Sequence, residues 1–393
     1  MNLVIDCFKL VKGAGKSIGI YNLAQSITEH MGERLLAGTA SGTASGRAQH
    51  SIIVLGNARN RKDFDVPGVT FVEMSGNPFN KIYCILWELF LVPWYAAKYQ
   101  ADCILFPRGY RPLSCQSGGR KLKDTIIIHD LIPFYYDEHY KGVFNRTENA
   151  YIMNRLKASI RKANRIITIS EFSRQDILNR VPGCEGKITV INNGLNNVSY
   201  DTEGRQAGSA GQQTGSYGQE GPYMVAMTSA LPHKNAAGIL RAYEAYYRKA
   251  ASPLALKVIG IGDTSFYPEM DEEAAAHVQC YKFFEKFDEM CRLAAGARAY
   301  LFLSYMEGFG FPPLEAMQLG VPVVCSNRSS LPEVVGDAGI LVDPDDMQGV
   351  AQALIQATTK EELRQELIQK GYENSKRFSW DSRTECYWKE LFR

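Results

Sequence analysis

Short apolar runs, each three to six residues long, recur through the whole chain and alternate with stretches of helical periodicity. In the first half they are Asn2–Ile5, Ile52–Leu55, Val69–Val72, Ile104–Phe106, Thr125–Ile128, Ile166–Ile169 and Lys187–Ile191. In the second half they are Tyr223–Met227, Leu254–Ile259, His277–Tyr281, Ala299–Ser304, Pro322–Cys325 and Ile340–Val342. Strands that alternate with helices build mostly parallel sheets covered on both faces. The pattern therefore predicts two doubly wound α/β domains of Rossmann type, with ligands beyond the carboxyl ends of the strands.

Two stretches interrupt the rhythm. Gly38–Gly46 (GTASGTASG) is low in complexity and reads as a surface loop. Asn196–Gly221 is rich in Gly, Gln and Ser, cannot bury a core, and reads as a linker or insertion. The expected division is residues 1–198, a linker at 199–221, a second domain at 222–378, and a closing helix at 379–393.

Charged residues make up 22% and the formal net charge is +2, too small to argue for a nucleic-acid partner. The nine cysteines form no C-x-x-C pair, so neither a zinc site nor a redox motif is expected. Cys103 and Cys325 read as small core residues. Ile82–Ala97 (IYCILWELFLVPWYAA) is shorter than the ~20 residues that span a bilayer. A buried helix is expected there. The alternative is an interfacial helix turning Trp87, Phe90 and Trp94 to lipid. No secretory signal is visible, since Leu3–Ile5 is broken by Asp6.

The densest chemistry lies in Glu307-Gly-Phe-Gly-Phe-Pro-Pro-Leu-Glu315, after the strand ending at Ser304. Pro312 suits a first helical turn and Gly320 a helix end. Gly308 and Gly310 allow close approach of backbone to a ligand, and helix-start amides can hold an anion such as a diphosphate. This places Glu307 in the loop and Glu315 in the first helical turn. Taken singly, either glutamate is explained by solvation or by the helix dipole; the pair points to function. A second candidate is Pro232-His233-Lys234-Asn235, where a lysine at a helix start opposes the macrodipole unless an anion lies beside it. Gly15-Lys16-Ser17 lacks the first P-loop glycine, since that position is Leu10. Asp343-Pro344-Asp345 reads as a turn rather than a metal pair.

EGFGFPPLEAMQLGVPVVCSN, continuing into SSLPEVVGDAGILVDP, resembles the signature of the family-four retaining glycosyltransferases. Similar segments are His129-Asp130, Ile169-Ser-Glu-Phe-Ser173, Ile191-Asn-Asn-Gly194, Ser17-Ile-Gly-Ile-Tyr21 with Gly19, and Phe378-Ser-Trp380. The resemblance covers nearly the whole chain. It implies a GT-B fold, in which two Rossmann-like domains face each other across a cleft and the C-terminal helix crosses back to the first domain. It also implies roles. Glu307 and His129 would act near the reacting sugar carbon. Lys234 would contact the donor diphosphate, with Thr228 where some members carry a second basic residue. Glu315 would hold the ribose, and backbone at Gly308, Phe309, Gly310 and Phe311 the sugar. Gly19, Asp130 and Arg108 would face the acceptor.

The implied reaction is transfer of a hexose with retention, without metal, from a nucleotide sugar to a glycan or lipid-linked glycan of a surface polysaccharide. Mannose from GDP-mannose is the favoured donor, with UDP-sugars as alternatives. A GT-B epimerase or phosphorylase, or a non-catalytic nucleotide-sugar-binding partner of another transferase, are the other classes. The basic loop Arg108, Arg111, Arg120, Lys121 and Lys123 is expected to meet a lipid phosphate or to be solvated. The protein is expected in the cytoplasm, at the inner face of the membrane where it associates with lipid.

Overall fold

The computed structural model describes residues 1–13, 18–40, 50–112, 116–117, 120–143, 145–198 and 221–393. The chain divides into two compact units. Unit 1 comprises Met1–Gly194 with Trp380–Arg393, and unit 2 comprises Leu195–Ser379. Most of the linker expected at 199–221, with Gly15-Lys16-Ser17 and residues 41–46 of the low-complexity run, lies outside the described residues.

Unit 1 carries a seven-stranded parallel sheet. Its strands are β1 (Asn2–Asp6), β2 (Ser51–Gly56), β3 (Thr70–Glu73), β4 (Cys103–Phe106), β5 (Lys123–Ile128), β6 (Arg165–Thr168) and β7 (Ile188–Val190). Their order across the sheet is β3-β2-β1-β4-β5-β6-β7, with every pair parallel. Unit 2 repeats the plan with β8 (Tyr223–Met227), β9 (Ala255–Ile259), β10 (Val278–Tyr281), β11 (Tyr300–Phe302), β12 (Val323–Ser326) and β13 (Gly339–Val342). The order there is β10-β9-β8-β11-β12-β13, again all parallel. Every strand read from the sequence is present within about two residues. The central strands are apolar without alternation because helices cover both faces; all four residues of β4 and of β12 are buried. Cys103 and Cys325 are among them.

Helix α1 (Ile18–Ala40) runs into the low-complexity stretch, so Gly38–Ala40 are helical rather than loop. Ser170 caps the helix Glu171–Arg180 by accepting from the Ser173 amide. Within that helix Asp176 pairs with Arg180 one turn on, at 2.6 Å. The segment Ile82–Ala97 is not a buried helix. It is an α-helix over Lys81–Leu86, a π turn over Trp87–Leu91 and an α-helix over Val92–Lys98. Trp87 is fully buried, whereas Ile82, Ile85, Leu86, Phe90 and Trp94 are exposed. No helix among the described residues is long and apolar enough to cross a membrane.

Candidate active site

In unit 2 the chain winds one way through β8, β9 and β10, then returns to continue through β11, β12 and β13. Its topological switch point therefore lies between β8 and β11, and ligands on such sheets bind beyond the strand ends at that point. Both candidate motifs emerge there: the segment ending in Lys234-Asn235 follows β8, and the loop holding Glu307 follows β11.

After β8 the backbone makes a short 3-10 turn over Pro232–Lys234 and enters helix α2 (Ala236–Lys249) through Asn235. Asn235 has φ 55°, a left-handed conformation that asparagine tolerates. Its side chain accepts from the Gly238 amide and donates to the Leu303 carbonyl, tying the helix start to β11. The Thr228 hydroxyl donates to the Lys234 carbonyl at 2.7 Å. Thr228 thus steadies the turn that presents Lys234. His233 is 3% exposed, and burial, then the nearby Lys234 charge, push its pKa down to about 4. The ring is neutral at pH 7, so this position supplies no cation.

Lys234 Nζ contacts both carboxylate oxygens of Glu307, at 2.6 and 2.9 Å. The two motifs read separately in the sequence thus form one charged pair. The anion that offsets the lysine's conflict with the helix start is here a carboxylate of the same unit. Two serines that sequence reasoning missed brace the loop. Ser329 Oγ accepts from the Glu307 amide, and Ser330 Oγ lies within hydrogen-bond distance of the Glu307 and Phe309 carbonyls. Nothing in the spacing of SSLPEVV announces those contacts, which depend on a turn after β12 meeting one after β11.

Helix α3 (Phe311–Gln318) starts at Gly310, whose φ is 119°. A Cβ there would also lie 2.7 Å from the Leu331 side chain, so glycine is required on two counts. Pro312 falls in the first turn as expected. The Phe309 ring is buried against Phe311 and Phe378, so what Gly308–Phe311 can offer a ligand is mainly backbone. Glu315 sits in the second turn of α3, one turn deeper than the sequence suggested. Burial pushes its pKa up to about 7. Its carboxylate has no hydrogen-bond partner among the described residues. The helix-dipole account, which needs an acid in the first turn, does not apply to it.

Asp343 and Asp345 are occupied. Arg328 bonds both oxygens of Asp343 at 2.9 and 3.0 Å, and the Tyr305 hydroxyl donates to Asp345. The Asp345 amide donates back to Asp343, as a turn requires.

The remaining predicted residues belong to unit 1. His129 follows β5, and its Nε2 lies 2.8 Å from the Pro107 carbonyl. A carbonyl only accepts, so Nε2 carries the proton and Nδ1 keeps its lone pair. Burial pushes the His129 pKa down to about 4. Asp130 accepts from the Ile132 amide. Gly19 is in the first turn of α1 with open space where a Cβ would be. Arg108 donates to the Lys9 carbonyl. The expected basic loop is not a solvated cluster throughout: Arg111 is buried against Asp124 at 2.7 Å, because an arginine brought into the core needs a carboxylate beside it. Lys123 reaches the Arg393 carbonyl. The side chains of Arg120 and Lys121 lie outside the described residues.

Residues 37–197 match the family model described as Glycosyltransferase Family 4, and residues 213–374 the one described as Glycosyl transferases group 1. The chain is 29% identical to O-antigen chain mannosyltransferase B of Escherichia coli, over 65% of this chain and 66% of that protein. It is 27% identical to the serotype-specific mannosyltransferase WbdA of Escherichia coli, over 66% of this chain but only 32% of that protein. The chain thus spans less than two thirds of either. Its fold matches a structure of HepE from Anabaena in complex with UDP-glucose, with TM-score 0.67, 16% identity, and coverage of 100% and 99% of the two chains.

Proposed function

Since the chain belongs to the family 4, group 1 glycosyltransferases, we propose that it moves a hexose from a nucleotide sugar to a glycan or lipid-linked glycan acceptor during surface polysaccharide synthesis. The observation that carries this reading is the pairing of Lys234 with Glu307 at the switch point of unit 2, beside the start of α3. The donor diphosphate takes Lys234 and the amides of Gly310 and Phe311 at the start of α3, whose positive end favours anions and whose next two residues, Pro312 and Pro313, carry no N–H. Glu307 holds the lysine in place and meets the sugar near the carbon where charge develops. Glu315, a carboxylate with no hydrogen-bond partner among the described residues, accepts from the ribose hydroxyls.

The donor is GDP-mannose, a reading supported by relatives named as mannosyltransferases. Transfer proceeds with retention and without metal, leaving-group charge being met by fixed N–H donors and Lys234. The acceptor lies on unit 1, where His129 offers Nδ1. The protein works at the cytoplasmic face of a membrane, which it meets through the exposed apolar ridge of Lys81–Lys98.

A thermal-shift panel of nucleotide sugars tests the donor, because a ligand that binds the native state raises its stability. GDP-mannose should raise the melting temperature more than UDP-sugars, and Lys234→Ala should abolish the shift while leaving the ligand-free melt close to wild type. No shift with any nucleotide sugar would overturn the proposal. Transfer should persist in excess chelator; loss of transfer with rescue by magnesium or manganese would refute the metal-free account.

A further inference from the structure

Unit 1 has a switch point of its own. The chain leaves β1 toward β2 and β3 on one side and returns to β4 and its neighbours on the other, so the crevice lies between β1 and β4. A cavity of ≈ 240 Å³ opens there, lined by Asp6 at the end of β1, Phe106 at the end of β4, and Arg108. Glu88 from the π turn, with Tyr151 and Arg155 from the helix Arg146–Lys162, completes its wall.

The charges of this cavity do not cancel. Glu88 is held twice, by Lys9 on one oxygen and by Arg155 at 2.8 Å on the other. Asp6 has one oxygen engaged, accepting from the Trp87 indole at 3.1 Å and the Phe8 amide at 3.3 Å. Arg108 makes one hydrogen bond, from Nη1 to the Lys9 carbonyl at 3.3 Å. It has no carboxylate within ion-pair distance among the described residues. Three cations therefore face two carboxylates, and the unmatched cation is a guanidinium with N–H donors to spare, the group best shaped for a carboxylate or a phosphate. Tyr151, 61% exposed, adds an aromatic face at the cavity wall. Aromatic faces bury the apolar side of a ring, and carboxylates accept from hydroxyls. The volume is below that of pockets for drug-sized ligands, about 300–1,000 Å³, and suits one sugar residue.

We propose that this cavity binds a sugar residue carrying an anionic group, a carboxylate or a phosphate, as the terminal unit of the acceptor. Arg108 takes the anion, the second oxygen of Asp6 accepts a sugar hydroxyl, and the Tyr151 ring packs on the sugar face. The assignment rests on the glycosyltransferase reading only for the word acceptor; the binding chemistry stands without it.

The test is direct binding to the full-length chain by calorimetry, with four probes. Methyl glucuronide carries the carboxylate, mannose 6-phosphate the phosphate, methyl α-mannoside no charge, and inorganic phosphate no sugar. One or both charged sugars should bind at least ~10-fold more tightly than methyl α-mannoside, and which of them does so identifies the anion. Arg108→Gln should erase that preference while leaving nucleotide-sugar binding and the thermal melt unchanged. Tyr151→Ala should weaken charged and neutral sugars alike. Equal binding of charged and neutral sugars, or a preference that survives Arg108→Gln, would overturn the proposal. So would inorganic phosphate binding as tightly as mannose 6-phosphate, which would make the cavity an anion site only. If charged sugars bind and no nucleotide sugar does, the glycosyltransferase reading fails and this site remains.

Discussion

Glu307 and Glu315 are the same residue type in one short segment, yet their surroundings give them opposite states. Glu307 lies in an ion pair with Lys234. Glu315 has no hydrogen-bond partner among the described residues, and burial raises its pKa from 4.5 to about 7. Hydroxyls donating to Glu315 favour its charged form. Donor affinity should therefore improve as pH rises from 6 to 8, and Glu315→Gln should raise the donor KM about 10-fold and flatten that pH dependence. The sign for stability is opposite. A carboxyl whose folded pKa exceeds its unfolded one contributes stability that is fully present below pH 4.5 and lost as pH rises through about 7. Ligand-free Glu315→Gln should then gain on wild type by about 1–3 kcal/mol at pH 8 and by little at pH 5. Glu307→Gln should instead lower kcat by about 10²-fold, as loss of one electrostatic stabiliser does. Wild-type kinetics in both variants, measured with varied donor and pH, would refute the division of roles. Much of this was legible from residue types alone: a glycine where φ is positive, a proline in a first turn, a lysine beside a helix start. The partners were not. That Lys234 meets Glu307 and that Ser330 braces Glu307 depends on which strands are neighbours, and spacing along the chain does not carry that.

At the scale of the element, Lys81–Lys98 shows why an apolar run resists reading. Counting hydrophobic residues favours burial, but the direction of each side chain decides it. Ile82, Leu86, Phe90 and Trp94 recur every fourth residue, a stripe that slides around a regular α-helix. The π turn at Trp87–Leu91 underwinds the helix and helps keep the stripe on one side. Trp87 swings inward, onto the Phe8 ring at 4.3 Å and the Asp6 carboxylate. A cluster of large apolar side chains left in solvent marks an interaction surface. Its chemistry fits an anionic bilayer. Lys81 and Lys98 flank the stripe, and the sole acid of the segment, Glu88, turns toward Lys9 and Arg155. The protein should float with vesicles of phosphatidylglycerol and phosphatidylethanolamine and much less with phosphatidylcholine alone. Phe90→Glu with Trp94→Glu should abolish flotation without lowering the melting temperature, because neither side chain is core. Flotation of that double variant at wild-type levels would exclude this face as the contact.

At the scale of the whole molecule, the alternation of thirteen apolar runs was enough to read two parallel sheets, because a strand covered on both faces has to be apolar throughout. What composition could not give was where the last helix belongs; there the resemblance carried the expectation, and the packing supplies the reason. Helix α4 (Trp380–Leu391) is part of unit 1 although the chain reaches it from unit 2. Trp380 is 6% exposed, stacks on His30 at 5.0 Å, and lies where a Cβ on Gly194 would collide with its ring at 2.2 Å. Glycine at 194 is thus a matter of close approach. Tyr387 is fully buried on the same helix, and Arg34 of α1 pairs with Glu385 at 2.5 Å. Unit 1 is therefore completed by the fourteen residues Trp380–Arg393, which the chain reaches only after passing through unit 2. Trp380→Ala should remove about 3–5 kcal/mol from unit 1, the cost of deleting a large buried aromatic. A drop in melting temperature would not say which of the two units had been weakened. Hydrogen exchange resolves them. In Trp380→Ala the amides of β1, α1 and β7 should lose protection, while those of β8, β9 and β11 keep theirs, since the contacts removed are with unit 1. Equal loss across both units, or no loss in either, would show that this helix does not hold the first unit together.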